Sequence, residues 1–126
     1  MAQKKSLIPV NVVPDPASVN PQTPDEFCKR GWLYFGRSEF SRAEADFVTA
    51  LEKEPDNPEY LYALGLTHKA SGSLDKALEK FEHIMGVLNT IKDPVRVQVL
   101  HRMVLGHINQ IKTGDWNLEK EIWKSR

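Results

Sequence analysis

The chain has only one cysteine, Cys28, among its 126 residues, so it cannot form an intramolecular disulfide. It has no excess charge either, because 17 lysines and arginines balance 17 aspartates and glutamates. Affinity for phosphate-rich partners rests on a basic excess, so this balance disfavours nucleic acid and charged membrane surfaces as partners. No apolar run approaches the ~20 residues of a membrane span. We therefore expect a cytoplasmic protein with no membrane segment.

Patterns that would bring catalytic or metal-binding side chains together are also missing. The sequence has no phosphate-binding loop and no zinc-ligand spacing. We interpret all four histidines as structural or surface residues: His68, His83, His101 and His107. We expect no enzyme activity, no cofactor and no metal, and an enzyme built around Cys28 is a remote alternative.

Prolines cluster in an amino-terminal tail, residues 1–23. Pro9, Pro14, Pro16 and Pro21 lie within it, and Pro24 follows directly. Because proline lacks a backbone donor and restricts the residue before it, we predict an extended tail. The stretch "SLIPVNVV", residues 6–13, is nevertheless apolar. Two alternatives are therefore open: a disordered leader, or a segment bound in a groove of its own molecule or of a second copy.

From residue 24 onward, apolar residues recur with the period of an α-helix. Six helices are predicted, beginning near Pro24, Ser41, Glu59, Leu74, Pro94 and Trp116. Asp93 is the predicted N-cap of the fifth helix, with Pro94 at its first position. No strand-like alternation occurs. The fold class is therefore predicted to be all-α, with one domain over residues 24–126.

Self-comparison of the sequence shows an internal repeat. Three pairs share an offset of 34 residues: Gly31 with Gly65, Ala43 with Ala77, and Phe47 with Phe81. A glycine inside a helix costs about 1 kcal/mol relative to alanine, so its recurrence indicates a place where a side chain is not tolerated. We interpret the alanines as the point where two helices cross and the phenylalanines as filling the space beside that crossing.

With this period, the sequence resembles the tetratricopeptide repeat family. The first unit, about residues 24–57, carries the signature residues Gly31, Tyr34, Ala43, Phe47, Ala50 and Pro55. The second unit, about residues 58–91, carries Leu64, Gly65, Gly72, Ala77 and Phe81. A third pair, over about residues 93–124, is degenerate and is interpreted as a cap. About eight residues have been added before its turn, in the fourth helix, its loop or the fifth helix. The resemblance implies a right-handed α-solenoid of three helix-turn-helix pairs.

The family resemblance also implies a binding site. First helices of the pairs line the concave surface in this family, which gives an apolar, aromatic groove of Cys28, Trp32, Phe35, Tyr62, Leu66 and Lys69. The alternative is that neighbouring helices or the third pair cover these side chains. The lysine and asparagines with which one branch of the family grips acidic chaperone tails are missing, so such a clamp is not expected.

The function favoured by the sequence is a non-enzymatic scaffold that binds a protein or peptide in this groove. A self-associating module is the alternative from a different class, with contacts from the last helix: Trp116, Leu118, Ile122 or Trp123. A small chaperone-like repeat protein for secreted substrates is a variant of the first interpretation.

Overall fold

A computed structural model describes residues 14–114 of the chain. Five α-helices follow one another: α1 Pro24–Gly36, α2 Phe40–Lys53, α3 Pro58–Ala70, α4 Leu74–Val87 and α5 Pro94–Thr113. Short 3-10 turns lie at Pro16–Ser18 and Leu88–Thr90. The described residues contain helices and no strand, which confirms the all-α prediction. The predicted sixth helix, which would complete the third pair, lies outside the described residues.

Local sequence fixes where α1, α3 and α5 begin, because each starts with a proline that follows a capping side chain. Thr23 and Glu26 form a reciprocal capping box at the start of α1. Asn57 accepts hydrogen bonds from the first-turn amides of α3. Asp93 does the same for α5, as the sequence predicts. These caps satisfy amide donors that a helix start would otherwise leave unpaired.

The helices pack as successive antiparallel pairs, with α1 against α2 and α3 against α4. Helix α3 also packs on α2, and α5 packs on α4, which joins each pair to the next. Two core clusters result, one around Phe47 and one around Phe81, both fully buried. This arrangement is consistent with a helical repeat, and the handedness of the solenoid stays a prediction.

The additional residues of the third pair lie mainly in α5. Four residues connect α2 to α3, whereas six connect α4 to α5. Pro58 lies 14 residues before Gly72, whereas Pro94 lies 20 residues before Gly114. The connection thus takes two of the eight additional residues and α5 takes six. Helix α5 has 20 residues, against 13 in α1 and in α3, because it also ends one residue nearer to its following glycine than α3 does.

Part of the amino-terminal tail packs on α1. Pro16 is fully buried, and the 3-10 turn that it begins contacts α1. The Asp15 carboxylate accepts a hydrogen bond from Arg37 Nη1 at 3.0 Å, just beyond the carboxyl end of α1. The chain then runs back along α1 to the cap at Thr23. Residues 14–22 therefore form a turn and a packed segment, while residues 1–13 lie outside the described part of the chain.

Candidate functional site

A cleft of about 270 Å³ lies between α1, α3 and α5. Its lining comprises Cys28 and Trp32 from α1, Glu59 and Tyr62 from α3, and Leu100 and Met103 from α5. Most of these side chains are apolar or aromatic. Trp32 is 38% exposed and Met103 is 40% exposed, so the cleft opens to solvent at two of its walls.

Trp32 forms a wall of the cleft and is held by other aromatic rings. Its ring meets Phe35 edge-on at a centroid distance of 5.4 Å. It meets the buried ring of Phe47 in the same manner at 5.3 Å. Such edge-to-face pairs are favourable beyond the area they bury. Trp32 therefore presents an exposed surface whose orientation is already fixed, which lowers the entropic cost of binding against it.

Cys28 lies one helical turn before Trp32 and contributes an apolar patch to the same cleft. The side chain is buried. Burial, assisted by the nearby negative charges of Asp25 and Glu59, raises the pKa of the Cys28 thiol to about 11. The thiol is therefore protonated at neutral pH, and a protonated thiol is a poor nucleophile. This environment supports packing rather than catalysis as the role of Cys28.

Tyr62 is joined to α5 through a buried histidine. Its hydroxyl lies 2.9 Å from Nε2 of His107, and Lys69 Nζ lies 2.9 Å from Nδ1 of the same ring. A lysine ammonium can only donate, so Nδ1 accepts and Nε2–H donates to the Tyr62 oxygen. Burial, with a smaller contribution from the charge of Lys69, lowers the pKa of His107 to about 4. The neutral imidazole thus fixes α3 against α5 beside the cleft.

An ion pair joins the first turns of α3 and α5. Glu59 accepts a hydrogen bond from the guanidinium of Arg96, which lies in the first turn of α5. Both side chains are substantially exposed, so the pair contributes little to stability. Its effect on the cleft is to place one carboxylate and one guanidinium at an otherwise apolar site.

The outer face of α5, formed by Val95, Val99 and Met103, continues from the cleft. These residues recur at intervals of four and are 68%, 53% and 40% exposed. The apolar breadth of α5 predicts a helix covered on more than one side, yet no described residue buries this face. Val95 and Val99 lie in the amino-terminal part of α5, which holds most of its additional length. Contiguous exposed apolar surface of this kind often marks an interaction site.

The structure divides the six residues predicted to line the groove. Cys28, Trp32 and Tyr62 meet in the cleft. Phe35 packs between Trp32 and Phe40, and Leu66 packs against the core cluster around Phe81. Lys69 is engaged by His107 and Gln110 of α5. For these last residues the arrangement matches the alternative in which a neighbouring helix covers the face.

Sequence reasoning did not assign Glu59, Leu100 and Met103 to the site. Met103 belongs with Val95 and Val99 to a second row of apolar residues on α5. The width of this apolar surface was the only indication in the sequence that Met103 contributes to a site. Which face of α5 would meet α1 and α3 depends on the register of the third pair, where the 34-residue spacing fails.

In each of the first two helix pairs a phenylalanine of the second helix packs over a glycine of the first, Phe47 over Gly31 and Phe81 over Gly65. Helix pairs that repeat the same contact define an α-helical repeat protein. Residues 47–79 match the model of the tetratricopeptide repeat family, from the Phe47 ring through most of the second unit. The match covers 33 of the 126 residues, and members of that family are in general protein–protein interaction modules. No solved structure matches the chain.

Two absences apply to residues 14–114. None of the described helices is long and apolar enough to cross a membrane. Within the same residues, no group of three or more histidine, cysteine or acidic side chains is placed to hold a metal ion.

Proposed function

We propose that this protein is a non-enzymatic scaffold that binds a protein or peptide partner in the cleft between α1, α3 and α5. The observation that carries the proposal is the pre-oriented, partly exposed ring of Trp32, which is continuous with the outer face of α5. Exposed aromatic anchors beside an apolar pocket are typical of the centres of protein interfaces. The composition favours a cytoplasmic setting, with neither nucleic acid nor membrane as the partner.

The dimensions of the cleft favour a short segment of the partner. A volume of about 270 Å³ accommodates one or two large side chains rather than a drug-sized ligand. Glu59 and Arg96 can orient a polar group at the margin. The expected partner therefore presents one or two aliphatic or aromatic anchors, with the outer face of α5 covering neighbouring residues.

Peptides selected from a displayed random library on the intact chain test this proposal. The expected consensus contains bulky apolar residues, and Trp32→Ala and Met103→Ser should each weaken binding at least about tenfold. Val48→Ser is the matched control, since Val48 is 41% exposed but lies on α2, away from the cleft. Equal losses in all three variants, with helicity by circular dichroism unchanged, would contradict the assignment of the site.

Self-association is the second candidate, favoured by the exposure of Val95 and Val99 on the outer face of α5. Two copies could bury this face against each other. Light scattering across a concentration range should then show a dimer that Val95→Lys and Val99→Lys dissociate. A monomer at all concentrations would exclude this candidate and leave the peptide-binding proposal in place.

A further inference from the structure

We propose that the chain's own segment Leu7–Val13 binds in this cleft and competes there with outside partners. The inference rests on the proposed function, because it takes the cleft to be a binding site, and it adds regulation of that site in cis. Three observations support it: where the described chain begins, how far the segment reaches, and what its side chains are.

The described part of the chain begins beside the carboxyl end of α1. The ion pair between Asp15 and Arg37, with a distance of 3.0 Å, and the burial of Pro16 attach the chain at the carboxyl end of this helix. Trp32 lies five residues before Arg37, which corresponds to about 7.5 Å along a helix axis. Five residues also correspond to about 140° around the axis, so a chain that starts at Arg37 must pass around α1 to reach the open wall of the cleft.

The reach of the segment is sufficient to cross the cleft. Seven residues, Leu7–Val13, span up to about 23 Å when extended at about 3.3 Å each. The path passes around the edge of α1, a helix about 10 Å in diameter, and then over a neighbouring helix at a spacing of about 8–10 Å. A segment bound in this direction would bring Val12 and Val13 to α1, and Leu7 and Ile8 to the α5 side of the cleft.

The chemistry of the segment suits the cleft. Five of its seven residues are aliphatic and none is charged: Leu7, Ile8, Val10, Val12 and Val13 are the aliphatic ones. Pro9 disfavours a helix, so a bound segment is extended and presents alternate residues to one side. Ile8, Val10 and Val12 then share a side, while Asn11 lies on the other. This alternation provides a matched pair of test positions.

Tethering makes even weak docking effective. A short flexible connection gives an effective concentration of roughly millimolar, so a segment with sub-millimolar intrinsic affinity occupies the cleft for most of the time. An outside peptide must then displace it, and its apparent affinity falls by about the ratio of the effective concentration to the segment's dissociation constant. The result is a site that opens fully only when a stronger ligand competes or the segment is withdrawn.

The test uses the full chain with Trp116→Phe and Trp123→Phe, so that all tryptophan fluorescence comes from Trp32. Val10→Asp is compared with Asn11→Asp, which adds the same charge one residue away on the opposite side of an extended segment. We expect Val10→Asp to increase acrylamide quenching of Trp32 about twofold or more, while Asn11→Asp leaves it unchanged. A library-selected peptide should bind the Val10→Asp variant about three- to tenfold more tightly than the parent.

The possible failures are distinguishable. Equal quenching in both variants, together with equal peptide affinity, overturns docking of the segment while the peptide-binding function stands. Quenching that differs although no selected peptide binds any variant overturns the function but supports occupancy of the cleft. Protection of Trp32 that disappears on dilution also overturns the proposal, because it places the segment in a second copy rather than in cis.

Discussion

The ring of Phe47 occupies the space that a side chain at Gly31 would need. A Cβ built on Gly31 would lie 2.6 Å from Cε1 of Phe47, closer than real Cβ contacts come. The relationship recurs one repeat later, where a Cβ on Gly65 would lie 2.7 Å from Cε1 of Phe81. The phenylalanines thus lie over the glycines themselves, and not merely beside the crossing marked by the alanines. Each first helix therefore needs a glycine at this position, because any side chain there would clash with the ring of the second helix.

Gly31→Ala and Gly65→Ala should each destabilise the fold by about 1–3 kcal/mol. Alanine favours a helix by about 1 kcal/mol, but its methyl group would displace a fully buried ring. The loss measured in urea or thermal unfolding should therefore outweigh the gain in helix propensity.

Gly86→Ala is the matched control, because Gly86 lies in α4 with no heavy atom within 4 Å of an added Cβ. This change should stabilise the protein by about 0.5–1 kcal/mol through propensity alone. Stabilisation by Gly31→Ala of the same size would contradict the packing account.

Ser38→Gly should stabilise the protein by about 0.5–1 kcal/mol. Ser38 has a φ of 60°, a left-handed conformation that side chains disfavour. Its counterpart one repeat later is Gly72, with a φ of 86°. Glycine at position 38 would relieve the strain that serine experiences there, and chemical denaturation would measure the gain.

Ser73→Gly provides the comparison, since Ser73 has an ordinary φ of −87° and makes no capping hydrogen bond through its side chain. Glycine there only adds freedom to the unfolded chain, so no gain is expected. A similar stabilisation at both positions would show that backbone strain at Ser38 is not the cause.

The repeat itself could be predicted from sequence, because its signals are local. Pro24, Pro58 and Pro94 mark helix starts, and the glycine–phenylalanine spacing of 16 residues recurs within each unit. Neither signal depends on knowing the tertiary structure.

The shape of the site could not be predicted in the same way. Lys69 occupies a repeat position that is predicted to line the groove. Its partner His107, however, lies 38 residues later, on α5. The eight additional residues of the third pair shift that helix relative to the 34-residue pattern. Contacts across this shift depend on register, which residue periodicity does not specify.

Asp46→Ala should destabilise the protein by about 2–3 kcal/mol. The Asp46 carboxylate is buried and accepts two hydrogen bonds from Arg30, at 2.8 Å from Nε and 2.7 Å from Nη2. The substitution leaves the guanidinium without this partner between α1 and α2. Because the Arg30 side chain is partly exposed, the loss should fall below that of a fully buried pair.

Glu82→Gln is the control for this pair. Glu82 also bridges two helices, meeting Lys112 at 3.6 Å, but both side chains are about half exposed. Exposed ion pairs contribute at most about 1 kcal/mol, so the change in unfolding free energy should be small. Losses of equal size would show that burial does not decide the strength of the Arg30 pair.

Stability should fall as the pH decreases from about 6.5 towards 4, because His107 must be neutral in the fold. Its pKa is lowered from 6.5 to about 4, so the unfolded chain binds the proton more readily. The stabilisation is complete above pH 6.5 and is lost on acidification, by at most about 3 kcal/mol. Burial also lowers the pKa of His68, which adds to the effect in the same direction.

His107→Gln should flatten this dependence, although the substitution itself costs stability at neutral pH. Glutamine can still accept from Lys69 and donate to Tyr62, but it does not titrate in this range. His101→Gln is the control, since His101 is exposed on the same helix. Unfolding free energies measured between pH 4 and 7 give the comparison. If the His107→Gln protein loses stability on acidification as steeply as the parent, the buried imidazole is not the group that responds, and the contact between α3 and α5 is insensitive to its charge.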